Sequence, residues 1–273
     1  MREPSEQDLR VRLVGCNARQ HNTRMPLGAC HIGTSGWSYS HWAKGRFYPK
    51  GCGQSEWLVF FAKQFRTVEV NASFYRLPSP EMIARWSRVT GSRFRFAVKL
   101  WRRITHEKRL ADCSRELGAF FAVVTALGSK RGPLLVQLPP SMRKDVGRLD
   151  SFLTEVKETV GRARWKVAVE FRRADWLCGE VYDLLDRHRA ALCLADLPQC
   201  PITEPNNAAF VYMRRHGPGG GYRGAYTLRH VATDAGRIRG WREAGRQVFV
   251  YYNNDVDGHA VDNARQLIEA VEG

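Results

Sequence analysis

The chain has 273 residues, 44% of them hydrophobic, and carries 43 Lys and Arg against 27 Asp and Glu, a net charge of +16. That apolar content supplies a real core and excludes an intrinsically disordered chain, and no apolar run reaches the ~20 residues of a membrane-spanning helix. The charge favours anionic partners, from phosphorylated metabolites to nucleic acid.

Residues 1–29 mix arginines with Glu3, Glu6 and Asp8 and lack both strand and helix periodicity. They are expected to form a disordered extension, without the apolar stretch of a signal peptide, ahead of one domain spanning 30–273. Seven irregularly spaced cysteines with no C-x-x-C argue against a disulfide framework or a zinc ribbon. They point to a reducing, cytoplasmic setting.

From His31 onward the chain alternates short β-rich runs with helix-period segments. The predicted strands are His31–Gly36, Thr67–Asn71, Phe94–Lys99, Leu134–Leu138, Lys166–Phe171, Ala191–Asp196, Phe210–His216 and Gln247–Asn253. Ser79-Pro80-Glu81 is a helix start, with an N-cap residue followed by Pro at the first helical position. Leu117, Phe120, Phe121, Val124 and Leu127 keep a 3.6-residue period, as do Ala260, Ala264, Leu267, Ile268 and Val271. Eight strand–helix units predict a single α/β domain, a (β/α)8 TIM-type barrel. Pro198, Pro201 and Pro205 leave no room for a sixth helix, so a Pro-rich loop is expected there.

Side chains alternate between the helix layer and the barrel interior. Val68 and Val70 oppose Glu69 and Asn71; Phe96 and Val98 oppose Ala97 and Lys99. Val169 and Phe171 oppose Glu170 and Arg172; Val211 and Met213 oppose Tyr212, Arg214 and His216. Four strands therefore turn polar inward at their C-terminal ends, where barrel active sites sit. Glu69 and Glu170 supply an acid and a base, with Lys99 and Arg172 as electrostatic stabilisers and His216 as a proton shuttle. Lys99 is expected foremost to form an ion pair with Glu69; orienting a phosphate or attacking a carbonyl are its other uses. A divalent metal on Glu69, Glu170, Asp196 and His216 is the less favoured arrangement, because no helix-spaced ligand pair accompanies them. No cofactor is expected.

Several stretches carry a family resemblance: Ile32-Gly-Thr-Ser-Gly-Trp-Ser-Tyr39, Phe74-Tyr-Arg-Leu-Pro-Ser79, Gln137-Leu-Pro-Pro-Ser141, Glu170-Phe-Arg172 with Trp176, Val211-Tyr-Met-Arg-Arg-His-Gly217, and Tyr251-Tyr-Asn-Asn-Asp255. In this order they resemble the YecE-like family, domain of unknown function seventy-two. The resemblance implies a TIM-type barrel and no particular activity. Arg215 departs from it, standing where relatives usually carry Leu.

The residues of these motifs and neighbouring loops are the candidate substrate contacts. They are Ser35, Trp37 and Tyr39; Asn71 and Tyr75; Arg102, His106 and Gln137; Arg172 and Asp196; Arg214; and Asn253 and Asn254. The loop after the seventh predicted strand, His216 to Gly224, adds Gly219, Gly220 and Arg223 as an anion-binding turn. Further cations in the mouth loops, among them Arg46, Arg103, Lys108, Lys144 and Arg173, interleave with aromatics in a way that suits single-stranded nucleic acid. Three readings stay open: a hydrolase or lyase, without metal, acting on an anionic, phosphate-bearing small molecule or nucleic acid; a nucleic-acid-binding barrel without catalysis; and a glycoside-hydrolase-like enzyme using Glu69 and Glu170.

Overall fold

A computed structural model describes residues 26–202 and 204–273. Its strands are β1 (Cys30–Thr34), β2 (Thr67–Val70), β3 (Arg95–Lys99), β4 (Arg131–Gln137), β5 (Val167–Glu170), β6 (Ala191–Leu197), a two-residue return strand β7 (Cys200–Pro201), β8 (Phe210–Arg215) and β9 (Gln247–Tyr252). Apart from β7, which pairs antiparallel with β6, all are parallel, in the order β1-β9-β8-β6-β5-β4-β3-β2. The barrel nearly closes between β1 and β2, where Gly36 donates its N–H to the Glu69 carbonyl at 2.8 Å. All eight predicted barrel strands are present.

Strand parity divides the core in two. Val68, Val70, Phe96, Val98, Val169, Val211 and Met213 join the layer beneath the helices. A separate inner cluster holds Ala97, Leu135, Ala168, Cys193, Tyr212, Phe249 and Tyr251. Small residues on β3, β5 and β6 leave room for the large aromatics on β8 and β9, as close packing of a narrow barrel demands.

β4 begins three residues before its predicted start, in spite of Pro133. A register shift between β3 and β4 at Phe96 and Val98 accommodates a residue with no N–H to donate. Of the expected disordered segment, residues 1–25 lie outside the described residues. Gly28 already belongs to the barrel: it donates to the Arg242 carbonyl and accepts from Arg242 Nε, each at 2.9 Å.

Among the described residues no sixth helix follows β6, as the prolines predict. Asn206 does its work of tying β6 to the helix Gly179–His188. Its Oδ1 accepts from Leu192 N–H at 2.8 Å, and its Nδ2 donates to the Ala190 carbonyl at 2.8 Å and to Asp186 at 2.7 Å. Asn206→Ala would leave buried backbone groups unpaired, so we expect a loss of about 2 kcal/mol in urea unfolding. A loss below ~0.5 kcal/mol would show that this loop does not brace the barrel.

Candidate active site

The C-terminal ends of the strands surround a cavity of about 720 Å³. Trp37, Tyr39, Asn71, Tyr75, Lys99, Gln137, Arg172, Arg214, Tyr222 and Asn253 line it. Glu69, Glu170, His216 and Ser35 form a buried polar layer around its floor. Inward parity places the side chains of Glu69, Lys99, Gln137, Glu170 and Arg214; the segments after β1, β2, β5, β8 and β9 supply the rest.

Arg214 organises the floor. Its Nε and Nη2 grip both oxygens of Glu69 at 2.8–3.2 Å, while Nη1 reaches Glu170 Oε2 at 2.6 Å. Glu69 also accepts hydrogen bonds from Tyr212 at 2.7 Å and from Ser35. Arg172 holds the other Glu170 oxygen at 2.5 Å, and His216 Nε2 stands 3.6 Å from it. Burial alone would raise the Glu170 pKa, but Arg214, Arg172 and His216 together hold it well below the ordinary carboxylate range. Glu170 is therefore an anion at neutral pH.

His216 is set by its neighbours. Asn253 Nδ2 donates to Nδ1 at 3.2 Å, which leaves the ring proton on Nε2, facing Glu170. Burial lowers its pKa against the pull of Glu170, so the ring is neutral near pH 7. Asn71 anchors Ser35 through a 2.8 Å bond from its Nδ2. Among the described residues, Asn71 Oδ1, Arg172 Nε and His216 Nε2 are buried polar atoms with no hydrogen-bond partner. Unpaired groups of this kind around a cavity floor are what a polar ligand would satisfy.

The expected Lys99–Glu69 ion pair does not form. No carboxylate among the described residues lies within ion-pair distance of Lys99, because Arg214 and Arg172 already hold both glutamates. The Lys99 ammonium sits instead over the Phe74 ring, 3.9 Å from its centre. Burial, then the charges of Arg214 and Arg172, bring its pKa from 10.5 to about 7, against the opposing pull of Glu170 and Glu69.

Other nominated residues lie elsewhere. Arg102, His106, Asp196, Gly219, Gly220, Arg223 and Asn254 do not line the cavity. Asp196 accepts from His216 N–H at 2.8 Å and from the Tyr226 hydroxyl. Asn254 holds the Gly224 carbonyl at 2.8 Å, and His106 packs edge-on against Phe74. The glycine loop closes on itself rather than presenting an anion cradle: Gly220 N–H donates to the Gly217 carbonyl at 2.7 Å and Tyr222 N–H to that of His216 at 2.6 Å. The turn delivers Tyr222 to the cavity, where its hydroxyl accepts from Arg172 at 2.9 Å.

The cationic mouth is also largely neutralised. Arg102 pairs with Glu107, Arg103 and Lys108 with Glu116, Lys144 with Glu180, and Arg173 with Asp175, at 2.9–3.5 Å. No group of three or more His, Cys, Asp or Glu among the described residues is arranged to hold a metal.

Sequence reading missed a side lobe of the cavity formed by Gln54, Ser55 and Leu58 with Met82, Arg85 and Trp86. The spacing of Met82, Arg85 and Trp86 marks one face of the helix Pro80–Val89. Which way that face looks depends on how the helix docks.

The sequence profile of the family described as "Protein of unknown function DUF72" matches residues 31–273. This chain is a DUF72 protein. The protein YunF of Bacillus subtilis is 24% identical to it over 89% of this chain and 94% of its own. YecE of Escherichia coli K12 is 31% identical over 40% of this chain, a match that spans 37% of YecE. The crystal structure of a DUF72 protein from Thermotoga maritima superposes with a TM-score of 0.79 at 26% identity, covering 90% of this chain and all of that one. A family 2 AP endonuclease from Brucella melitensis shares the fold alone, with a TM-score of 0.50 at 13% identity over 88% of this chain and 96% of its own. Among the described residues of the DUF72 chain, no helix is long and apolar enough to cross a membrane.

Proposed function

We propose that this DUF72 protein is an acid/base enzyme of hydrolase or lyase type that acts on an anionic small molecule at the C-terminal mouth of the barrel. The observation that carries this reading is Lys99, half-buried at the cavity wall, without a carboxylate partner among the described residues and with its pKa brought to about 7. A proton-transfer group works best when its pKa lies near the operating pH. In this reading Lys99 moves the proton, and Glu69 and Glu170 position Arg214 and Arg172 rather than exchanging protons themselves. Arg172, Gln137 and Asn253 offer donors to an anionic group, and Trp37, Tyr39, Tyr75 and Tyr222 supply apolar walls. The cavity is within the ~300–1,000 Å³ of ordinary small-ligand sites.

Two observations weigh against the other readings. Ion pairs at the mouth engage Arg102, Arg103 and Lys108, which leaves fewer free cations there for nucleic acid. The Arg214 guanidinium fills the space between Glu69 and Glu170, where a glycosidase needs the scissile bond or a water.

The test is a turnover screen of small phosphate- and carboxylate-bearing compounds near pH 7.5. Lys99→Met should lower kcat/KM by roughly 10²–10⁴-fold. Lys99→Arg should not rescue it, since a guanidinium keeps its proton. Arg172→Gln should act mainly through KM. Full turnover in Lys99→Met would overturn the reading.

A further inference from the structure

The opposite end of the barrel holds a second cavity, of about 560 Å³, and its walls are cationic without relief. Among the described residues, Arg66, Arg93, Arg95, Arg131, Arg164 and Lys166 line it, and no Asp or Glu does. They come from the N-terminal ends of β2, β3, β4 and β5 and the residues just before them. Among the described residues, none of the six lies within ion-pair distance of a carboxylate, whereas the cations at the mouth mostly do.

Two of these side chains are held in place by backbone carbonyls. Arg95 donates to the carbonyls of Ser92 and Phe94 at 3.1 and 3.0 Å, and Arg131 to those of Gly128 and Ala163 at 3.0 and 3.1 Å. Carbonyls orient a guanidinium without cancelling its charge, and an oriented guanidinium loses less freedom on binding an anion. The Arg131 guanidinium lies 5.5 Å from the centre of the Trp165 ring, another lining residue. Trp165 in turn carries a buried indole N–H with no acceptor among the described residues.

The crowding has an electrostatic cost. Burial and the neighbouring Arg95 lower the pKa of Lys166, and burial with Arg95 and Lys166 pushes His31, also in the lining, down to about 4. An anion in the cavity would remove that cost.

We propose that this cavity at the N-terminal end of the barrel binds a short phosphate chain, either inorganic or as the tail of a nucleotide. Phosphate chemistry suits the fork geometry of arginine. Six cations outnumber what a single phosphate can engage, and a chain of two or more phosphates better matches their number. The site is separate from the Lys99 cavity, and each can fail without the other.

Isothermal titration calorimetry of the full chain with tripolyphosphate and, separately, ATP at low ionic strength tests this. Both should bind with one-to-one stoichiometry, weakening as salt screens the cations. Tighter binding of ATP would identify the nucleotide as the natural source; equal binding would assign the phosphate chain alone. Arg93→Glu with Lys166→Glu changes two exposed side chains that lack a side-chain hydrogen bond or ion pair among the described residues. This double variant should weaken binding about tenfold or more while its melting curve stays near wild type. Arg172→Gln, at the other end of the barrel, should leave the affinity unchanged. The proposal is overturned if neither probe binds, or if Arg172→Gln abolishes binding while the double variant does not.

Discussion

Arg214→Met is expected to lower the unfolding free energy by about 3–5 kcal/mol at neutral pH, the usual result of depriving a buried charge of its partner. The guanidinium is the cation that holds Glu69, and it also shares Glu170 with Arg172. Without it, Glu69 keeps only its Tyr212 and Ser35 hydrogen bonds inside a fully buried layer. Adding Glu69→Gln to Arg214→Met should recover much of the loss, because the amide oxygen accepts from one of the two hydroxyls, its NH2 donates to the other, and it carries no charge. The pH dependence gives a second check. In the wild-type chain Glu170 is held below its ordinary 4.5, so its contribution is present above that pH and lost on acidification. In the variant Glu170 loses the Arg214 charge, so less of this acid-sensitive stability remains and the deficit should shrink on acidification. Urea titrations from about pH 2 to 8 read both effects. A variant within ~1 kcal/mol of wild type at pH 7 would show that the guanidinium does not hold the floor together.

Lys99→Met is expected to stabilise the fold while removing turnover. A lysine whose folded pKa falls from 10.5 to about 7 binds its proton more weakly folded than unfolded. The unfolded chain therefore holds more protons between those two values, and stability rises with pH across that window. Below pH 7 the full penalty of keeping a desolvated ammonium applies, and above 10.5 it is gone. With a discount for its partial exposure at the cavity wall, the gain from an apolar side chain of similar length should be about 3 kcal/mol near pH 6. That gain should fade as pH climbs toward 10. Equal melting temperatures for the two proteins at pH 6 would mean that the ammonium is well solvated, and the argument for Lys99 as a proton-transfer group would lose its basis. A side chain that costs stability yet fills an active-site cavity is a common trade between stability and function.

Much of the fold was legible because barrel strands alternate strictly. Valines and phenylalanines at every second position marked the helix-facing side, and the intervening Glu69, Lys99, Glu170 and Arg214 had only the interior left. Pro198, Pro201 and Pro205 likewise forbade a sixth helix by local chemistry, whatever surrounds them. The start of β4 was not legible. Arg131-Gly132-Pro133 has the composition of a turn, and only a register shift against β3 makes it a strand.

Charge pairing was the larger blind spot. Ala97 and Lys99 share a face of β3 by sequence alone, yet whether Lys99 meets Glu69 depends on how far Arg214 reaches from β8, more than a hundred residues away. The mouth loops looked basic in the sequence, but Glu116 and Glu180, on helices, neutralise several of their cations. Conversely, Arg66, Arg93, Arg95, Arg131, Arg164 and Lys166 drew no attention, each a lone cation ahead of or just inside a strand. Strand period and proline chemistry act over a few residues, so the barrel, its inward-facing polar residues and the loop in place of a sixth helix are legible before any packing is known. Which charges cancel and which accumulate follows instead from the angular position of each strand around the barrel, a property no local stretch of chain contains.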